Sequence, residues 1–61
     1  MNTSTTRVTK LLVVDDDTRI RDLLRRYLTQ EGFEVSTAEG SVAMDQVLQN
    51  EAIDLIVLDL M

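Results

Sequence analysis

Two short apolar runs constrain the fold of this chain more than any other feature of its sequence. Residues 11–14 (LLVV) and 55–58 (LIVL) are each followed directly by an aspartate. Apolar runs of this length are typical of strands that are buried on both faces of a parallel sheet. They are too short to cross a membrane or to form the apolar part of a secretion signal.

Residues 18–28 show the period of an amphipathic helix. One apolar stripe follows the three- and four-residue spacing of a helical face. Its members are Ile20, Leu23, Leu24, Tyr27 and Leu28. The arginines on the other side are predicted to form a solvated face, or to contact an acidic partner. Asp16 or Asp17 can cap the start of this helix, and Gly32 supplies the left-handed residue that ends it.

A second strand and a second helix follow. Residues 33–38 alternate between apolar and polar, as in a half-exposed strand at the edge of a sheet. Ser41 is predicted to cap a shorter helix that ends near Asn50. The apolar stripe of that helix contains Ala43, Met44, Val47 and Leu48. Strands that alternate with helices of this size predict an α/β chain with a parallel sheet.

The strand order follows from the two helical stripes. A long stripe and a short one suit helices on opposite faces of the sheet, and right-handed crossovers then give the order 2-1-3. The winding direction reverses between the first and third strands, and ligands of open α/β sheets bind at the carboxyl ends of the strands at such a point. There the sequence has Asp15 and Asp16 after one strand and Asp59 after the other.

Three carboxylates in one crevice predict a cation site. Like charges so close repel each other unless a cation joins them, and ligands that are all oxygen suit Mg²⁺. A carboxylate can also act as a nucleophile and form an aspartyl phosphate. Taken alone, residues 15–17 would be explained as a solvated loop and Asp59 as the end of a strand. Asp17 keeps the simpler explanation, a helix cap that faces water.

Composition excludes several other kinds of protein. The net charge of −5 and the pI of about 4.3 argue against contact with a nucleic-acid backbone by this segment and permit cation binding. No cysteine or histidine is present, so neither a disulfide nor a zinc site can stabilise the 61 residues. We expect a soluble cytoplasmic protein, with residues 1–7 as a flexible polar tail and residues 8–61 as the folded part.

The motifs together resemble the start of a response-regulator receiver domain. The residues that carry the resemblance are LVVDDD at 12–17, the helix at 19–28, EGFEV at 31–35 and DLIVLDLM at 54–61. Within that family, they look most like the OmpR/PhoB subgroup. The resemblance implies a flavodoxin-like (CheY-like) doubly wound sheet, of which this chain supplies the N-terminal part.

The resemblance also implies a role for each site residue. Asp59 would accept a phosphoryl group from a sensor histidine kinase, which docks on the helix at 18–28. Asp16 would bind Mg²⁺ directly and Asp15 directly or through water. The carboxylate of Asp59 and the main-chain carbonyl of Met61 would complete the protein ligands. Such a domain is a phosphoacceptor module of a two-component system and not an enzyme. Transcription would be regulated through a separate C-terminal domain that binds DNA.

Length is the departure from the family pattern, because a whole receiver is roughly twice as long and carries further switch residues and a lysine. The sequence therefore leaves two alternatives open. One is a self-associating fragment, a homo-oligomer or domain-swapped assembly, because an apolar third strand at the edge of the sheet would pair with another chain. The other is a phosphatase of the haloacid-dehalogenase type with Asp15 as the nucleophile, although such enzymes have threonine or valine where this chain has Arg19.

Overall fold

The computed structural model describes residues 8–58, so the predicted tail at 1–7 lies outside the described residues. The order of elements is the one that the sequence predicts. The five elements are β1 (Lys10–Val14), α1 (Thr18–Gln30), β2 (Glu34–Ala38), α2 (Ser41–Asn50) and β3 (Leu55–Leu58).

The three strands form a parallel sheet in the order β2-β1-β3. In the register, Leu12 pairs with Ser36 on one side and with Ile56 on the other. At the carboxyl ends, Val14 pairs with Leu58. The predicted order 2-1-3 is confirmed, and the chain leaves β1 and β3 from neighbouring points on the same edge of the sheet.

The core lies around β1, because β1 is the middle strand. Residues 11–14 are all buried, and Leu12 and Val13 are almost completely inaccessible to solvent. Leu12 and Val14 form one cluster with Ala38 on the face that α2 covers. The partly buried side chains that pack against this cluster are Ala43, Met44, Val47 and Ile53.

Helix α1 packs on the other face of the sheet, against β1 and β2. Within residues 8–58 the two helices do not contact each other, so their predicted placement on opposite faces is confirmed. The apolar stripe of α1 is only partly covered. Leu24 and Leu28 are half-buried, whereas Leu23 and Tyr27 are exposed. Neither of the two helices is long and apolar enough to cross a membrane.

Both ends of α1 have the predicted caps. At the start, the carboxylate of Asp17 accepts a hydrogen bond from the backbone N–H of Arg19. At the end, Gly32 has a φ of 99°, which favours glycine, and its N–H donates to the carbonyl of Thr29. The N–H of Phe33 donates to the carbonyl of Leu28, and the two bonds together form a Schellman motif. Helix α1 ends at Gln30, two residues beyond its predicted end at Leu28.

The prediction that Ser41 caps α2 is wrong. Ser41 is the first residue of the helix, and the N-cap position belongs to Gly40, which makes no side-chain hydrogen bond. The backbone of Gly40 is fully extended there, and its carbonyl accepts the N–H of Met44. Helix α2 therefore begins without the side-chain acceptor that usually satisfies the first N–H groups of a helix.

Strand β3 is more exposed than its apolar run predicts. Leu55, Ile56 and Leu58 are 58%, 37% and 52% exposed, although a strand buried on both faces was expected. The reason is its position, because β3 lies at one side of the described sheet and neither helix packs against it within residues 8–58. The element type and the register were predictable, and the burial was not.

A polar network holds the amino end of β1 to the segment that follows α2. Lys10 Nζ lies 3.2 Å from Glu51 Oε1, and the same carboxylate oxygen accepts a 2.7 Å hydrogen bond from the Ser36 hydroxyl. The backbone N–H of Lys10 donates to the carboxylate of Asp54, whose own N–H donates to the carbonyl of Lys10. The pKa of Glu51 is lowered below its ordinary value of 4.5. The hydrogen bond from Ser36 is the larger cause, and the contact with Lys10 is the smaller one.

This network predicts a pH-dependent contribution of Glu51 to stability. A lowered pKa in the folded state stabilises the chain above the unfolded pKa, and the contribution is lost as the pH falls through the folded pKa. We expect Glu51→Gln to lower the free energy of unfolding near pH 7 and to have a much smaller effect in acid, below the lowered pKa of Glu51, where the carboxyl group is protonated. Chemical denaturation at both pH values measures this, with exposed Glu39→Gln as the control. An equal loss at the two pH values would contradict the prediction.

Candidate functional site

Asp15 is the first residue after β1 and continues the pairing of that strand. Its backbone N–H donates to the carbonyl of Ala38 at 3.1 Å, which extends the pairing of β1 with β2 by one position. The residue is 4% exposed and is the buried charged residue of the described part of the chain. The carboxylate of Asp15 therefore lies at the edge of the core and is shielded from solvent.

The loop after Asp15 is closed by its own side chains. Asp15 Oδ1 accepts the backbone N–H of Asp17 at 2.8 Å, and Asp17 Oδ1 accepts the N–H of Arg19 at 2.9 Å. Asp16 lies between the two turns and is exposed. The three adjacent aspartates therefore occupy different environments: Asp15 is buried, Asp17 caps a helix, and Asp16 is open to an incoming ligand.

Arg21 contacts the residues of the predicted site, which its sequence position did not indicate. Its Nη1 atom donates a 2.6 Å hydrogen bond to the main-chain carbonyl of Asp15, and its Nη2 atom lies 3.2 Å from the Thr18 hydroxyl. Arg21 is only partly exposed, so its assignment to the solvated face of the helix is wrong. The available signal was helix geometry, because side chains of a first turn point back toward the residues that precede the helix.

An open apolar cleft of about 260 Å³ leads to Asp15 between α1 and β3. Ile20 and Leu24 of α1 form one wall, and Val57 and Leu58 of β3 form the other. Carboxyl groups at the end of an apolar cleft meet a ligand in surroundings where electrostatic interactions are stronger than in water. A cation at that end would be attracted by the carboxylate of Asp15, whereas an unpaired charge elsewhere in the cleft would lose hydration without compensation.

The remaining predicted site residues, Asp59 and Met61, lie outside the described residues. Between residues 8 and 58, no group of three acidic, histidine or cysteine residues could hold a metal ion. The described part of the predicted site is the pair Asp15 and Asp16, which offers carboxylate oxygens without nitrogen or sulfur. Such a donor set fits Mg²⁺, which binds proteins through one or two carboxylates and keeps several waters.

Comparison with known proteins agrees with the fold. Residues 11–61 match the family model described as the response regulator receiver domain. The chain is 51% identical over 57 residues to the transcriptional regulatory protein ResD of Bacillus subtilis (strain 168), covering 92% of this chain and 23% of ResD. It is 34% identical over 50 residues to the TorCAD operon transcriptional regulatory protein TorR of Escherichia coli (strain K12), covering 82% of this chain and 22% of TorR.

The chain thus spans less than a quarter of the length of these curated relatives. No solved structure matches it. The family match covers most of the chain and includes β1, both helices, β2 and β3 in full but for Lys10, together with the acidic residues that follow the first and last strands. The chain belongs to the response regulator receiver domain family.

Proposed function

We propose that this chain is the phosphoacceptor segment of a two-component response regulator, with Asp59 as the residue that is phosphorylated. The observation that carries the proposal is the register of the parallel sheet. Val14 and Leu58 are paired neighbours, and neighbouring strands lie about 5 Å apart. Asp15 and Asp59 are the next residues in the sequence. The topology therefore supports a common site for acids that are 44 positions apart in the chain.

The proposed reaction is the transfer of a phosphoryl group to a carboxylate. An oxygen of Asp59 attacks the phosphorus of a phosphohistidine on a sensor kinase, the P–N bond breaks, and the imidazole regains a proton. The product is an aspartyl phosphate and not a released compound. The domain changes its own state once for each transfer, which is why we assign it as a signalling module and not as an enzyme.

Mg²⁺ is the cofactor that the donor set supports. The exposed carboxylate of Asp16 would bind it directly, and the buried carboxylate of Asp15 directly or through water. Asp59 and the main-chain carbonyl of Met61 would supply the other protein ligands. When bound, the ion neutralises charge between the carboxylates and the incoming phosphoryl group. Without that neutralisation, three carboxylates would repel a phosphate dianion.

The proposed parent protein is a cytoplasmic transcriptional regulator of the OmpR/PhoB subgroup. Both relatives are named as transcriptional regulatory proteins and are more than four times as long as the matched segment. Contact with DNA would belong to a C-terminal domain, because this segment has a net charge of −5. The sensor histidine kinase would dock on α1, whose exposed face carries Arg19, Arg25 and Arg26.

The experiment that tests the proposal is phosphorylation by a small acyl phosphate with and without Mg²⁺. The full-length protein is incubated with the donor, and the modified residue is mapped by mass spectrometry. We expect one phosphoryl group, dependent on Mg²⁺ and located on Asp59. Modification of Asp15 would instead support the phosphatase alternative, whose nucleophile is that residue. Modification of neither residue would overturn the proposed function.

The metal site has its own prediction, which compares two adjacent aspartates. Asp16 is exposed and accessible to a ligand, whereas the carboxylate of Asp17 accepts the hydrogen bond that caps α1. We expect Asp16→Ala to weaken Mg²⁺ binding by at least about tenfold, and Asp17→Ala to act chiefly on stability, by about 1 kcal/mol. Calorimetric titration and thermal melting separate the two effects. Equal losses of affinity would contradict the assignment of Asp16.

A second candidate function is self-association through β3. The observation that favours it is the exposure of this strand, which is apolar throughout and carries no charge at any position. Edge strands that avoid aggregation usually carry a lysine, a proline or a bulge. Pairing of β3 with β3 of a second copy would join the two sheets and satisfy the backbone hydrogen-bonding groups along the outer edge of the strand. A domain-swapped dimer would cover the same strand.

We expect the 61-residue chain to sediment as a dimer or a larger oligomer. Ile56→Lys places a charge in the middle of β3, so it should raise the dissociation constant by at least about tenfold. Val42→Lys is the matched control, because Val42 is 72% exposed on α2, and α2 does not contact β3 within residues 8–58. A wild-type monomer at all concentrations, or equal effects of the two lysines, would contradict self-association through β3.

A further inference from the structure

We propose that Arg21 is a positioning residue, whose guanidinium ties the Asp15 carbonyl to Thr18 and so fixes the loop that presents Asp15 and Asp16 to a cation. The inference rests on the metal site of the proposed function. It adds a residue from α1 to a site whose other members follow strands.

Arg21 bonds the main chain and a hydroxyl group of the loop, and it does not bond the carboxylates that would hold a cation. Both of its bonds are made to atoms that frame the acidic turn, the carbonyl at its start and the hydroxyl at the first helical residue. The side-chain oxygens of Asp15 are left to the Asp17 amide and to a ligand. Arg21 thus neutralises part of the local negative charge without occupying a carboxylate that a cation needs.

The geometry distinguishes arginine from lysine at this position. Two different nitrogens of one planar group reach two acceptors, at 2.6 Å and 3.2 Å. A lysine has one nitrogen on a flexible stem and cannot hold both acceptors in a fixed orientation. Charge alone is therefore insufficient, and Arg21→Lys separates the fixing of the loop from simple electrostatics.

The loop conformation also connects Arg21 to the two aspartates. Asp15 is held on three sides, by the Ala38 carbonyl through its N–H, by Arg21 through its carbonyl and by Asp17 through its side chain. Removal of the guanidinium leaves the carbonyl to water and frees the peptide that links Asp15 to Asp16. Loss of an outer contact of this kind typically lowers metal affinity by about 10- to 100-fold.

The test uses the full-length protein with Arg21→Met and Arg21→Lys. The controls are Arg25→Met and Arg25→Lys, because Arg25 lies one turn further along α1 and, in the described part of the chain, forms a 3.9 Å ion pair with Asp22 and no contact with the acidic loop. NMR measures two quantities. The first is hydrogen exchange of the Asp17 amide, which needs no metal. The second is the affinity for Mn²⁺, taken from paramagnetic broadening of the loop amides, with Mg²⁺ as the competitor. Unchanged exchange at Leu12 shows that each variant is folded.

We expect both Arg21 variants, and neither Arg25 variant, to speed exchange at Asp17 and to weaken Mn²⁺ and Mg²⁺ binding by about tenfold. Unchanged exchange in Arg21→Met would overturn the proposal. So would metal affinities that fall equally in the Arg21 and Arg25 variants, because the effect would then not depend on the contact of Arg21 with the loop. Loss of the positive charge alone would instead raise the affinity for a cation. A wild-type protein that does not respond to Mn²⁺, with faster exchange in Arg21→Met, would overturn the metal site while the tether of the loop stands.

Discussion

Leu12→Ala is expected to unfold most of the chain, because it removes the centre of a small core. Leu12 is completely buried in the middle strand, where it packs with Val14, Ala38 and the inner face of α2. Truncation of a buried leucine costs about 2 to 5 kcal/mol. A chain of 61 residues has a total stability of about 3 to 9 kcal/mol on the usual scale per residue. The loss is therefore comparable to the whole free energy of unfolding.

Thermal and urea denaturation followed by circular dichroism measure this effect at a fixed chain concentration. The matched control is Leu23→Ala, the same substitution at a position of α1 that is 62% exposed. We expect the control to change the free energy of unfolding by less than about 1 kcal/mol, because surface substitutions have small effects and alanine favours the helix. If the two variants melted alike, β1 would not be the centre of the core.

The sheet could be predicted from the sequence because two of its three strands are short and strongly apolar. The runs at 11–14 and 55–58 mark β1 and β3, and the helical stripe between them leaves a parallel crossover as the remaining connection. The cap at Asp17 and the left-handed turn at Gly32 were predictable for a similar reason. Each is a local feature that one residue type decides.

The parts that could not be predicted depend on distant neighbours. The exposure of β3 follows from the absence of a covering helix within residues 8–58, and the pattern LIVL is the same with or without one. The contact of Arg21 with Asp15 crosses from a helix to a strand end, and its residue type alone favours a solvated position. At the start of α2, serine is a residue type that commonly caps helices. The helix nevertheless begins at Ser41 itself, one residue earlier than a cap at Ser41 would imply.

The candidate site also has one part that the sequence predicts and one part that it does not. The sequence locates the acids after the strands, and the fold supports their common location through the pairing of Val14 with Leu58. The sequence separates Asp17 from the other two aspartates as a helix cap, but it does not predict that Asp15 is buried and Asp16 exposed. That distinction depends on hydrogen bonds within the loop, which turn Asp15 inward and leave Asp16 outside.

Asp59→Ala is expected to abolish phosphorylation of the full-length protein by a small phosphodonor. The carboxylate of Asp59 supplies the oxygen that bonds to phosphorus, and no other group takes over this role when it is removed. Loss of a metal ligand, in contrast, only slows the transfer. Incorporation of the phosphoryl group, measured by intact mass over time, should fall to the background of a reaction without Mg²⁺. Asp59→Asn should behave in the same way, since an amide keeps the shape but is not a nucleophile.

The control for this variant is Asp45→Ala, which removes an exposed aspartate from α2 and leaves the proposed site intact. We expect it to be phosphorylated at the wild-type rate. Label that persists in Asp59→Ala would move the acceptor to another carboxylate. The choice would then lie with Asp15, because it is buried at the end of the apolar cleft, and Asp15→Ala in the same assay would decide between the two carboxylates. The pairing of β1 with β3 makes these the two acceptors to compare, since one follows each strand.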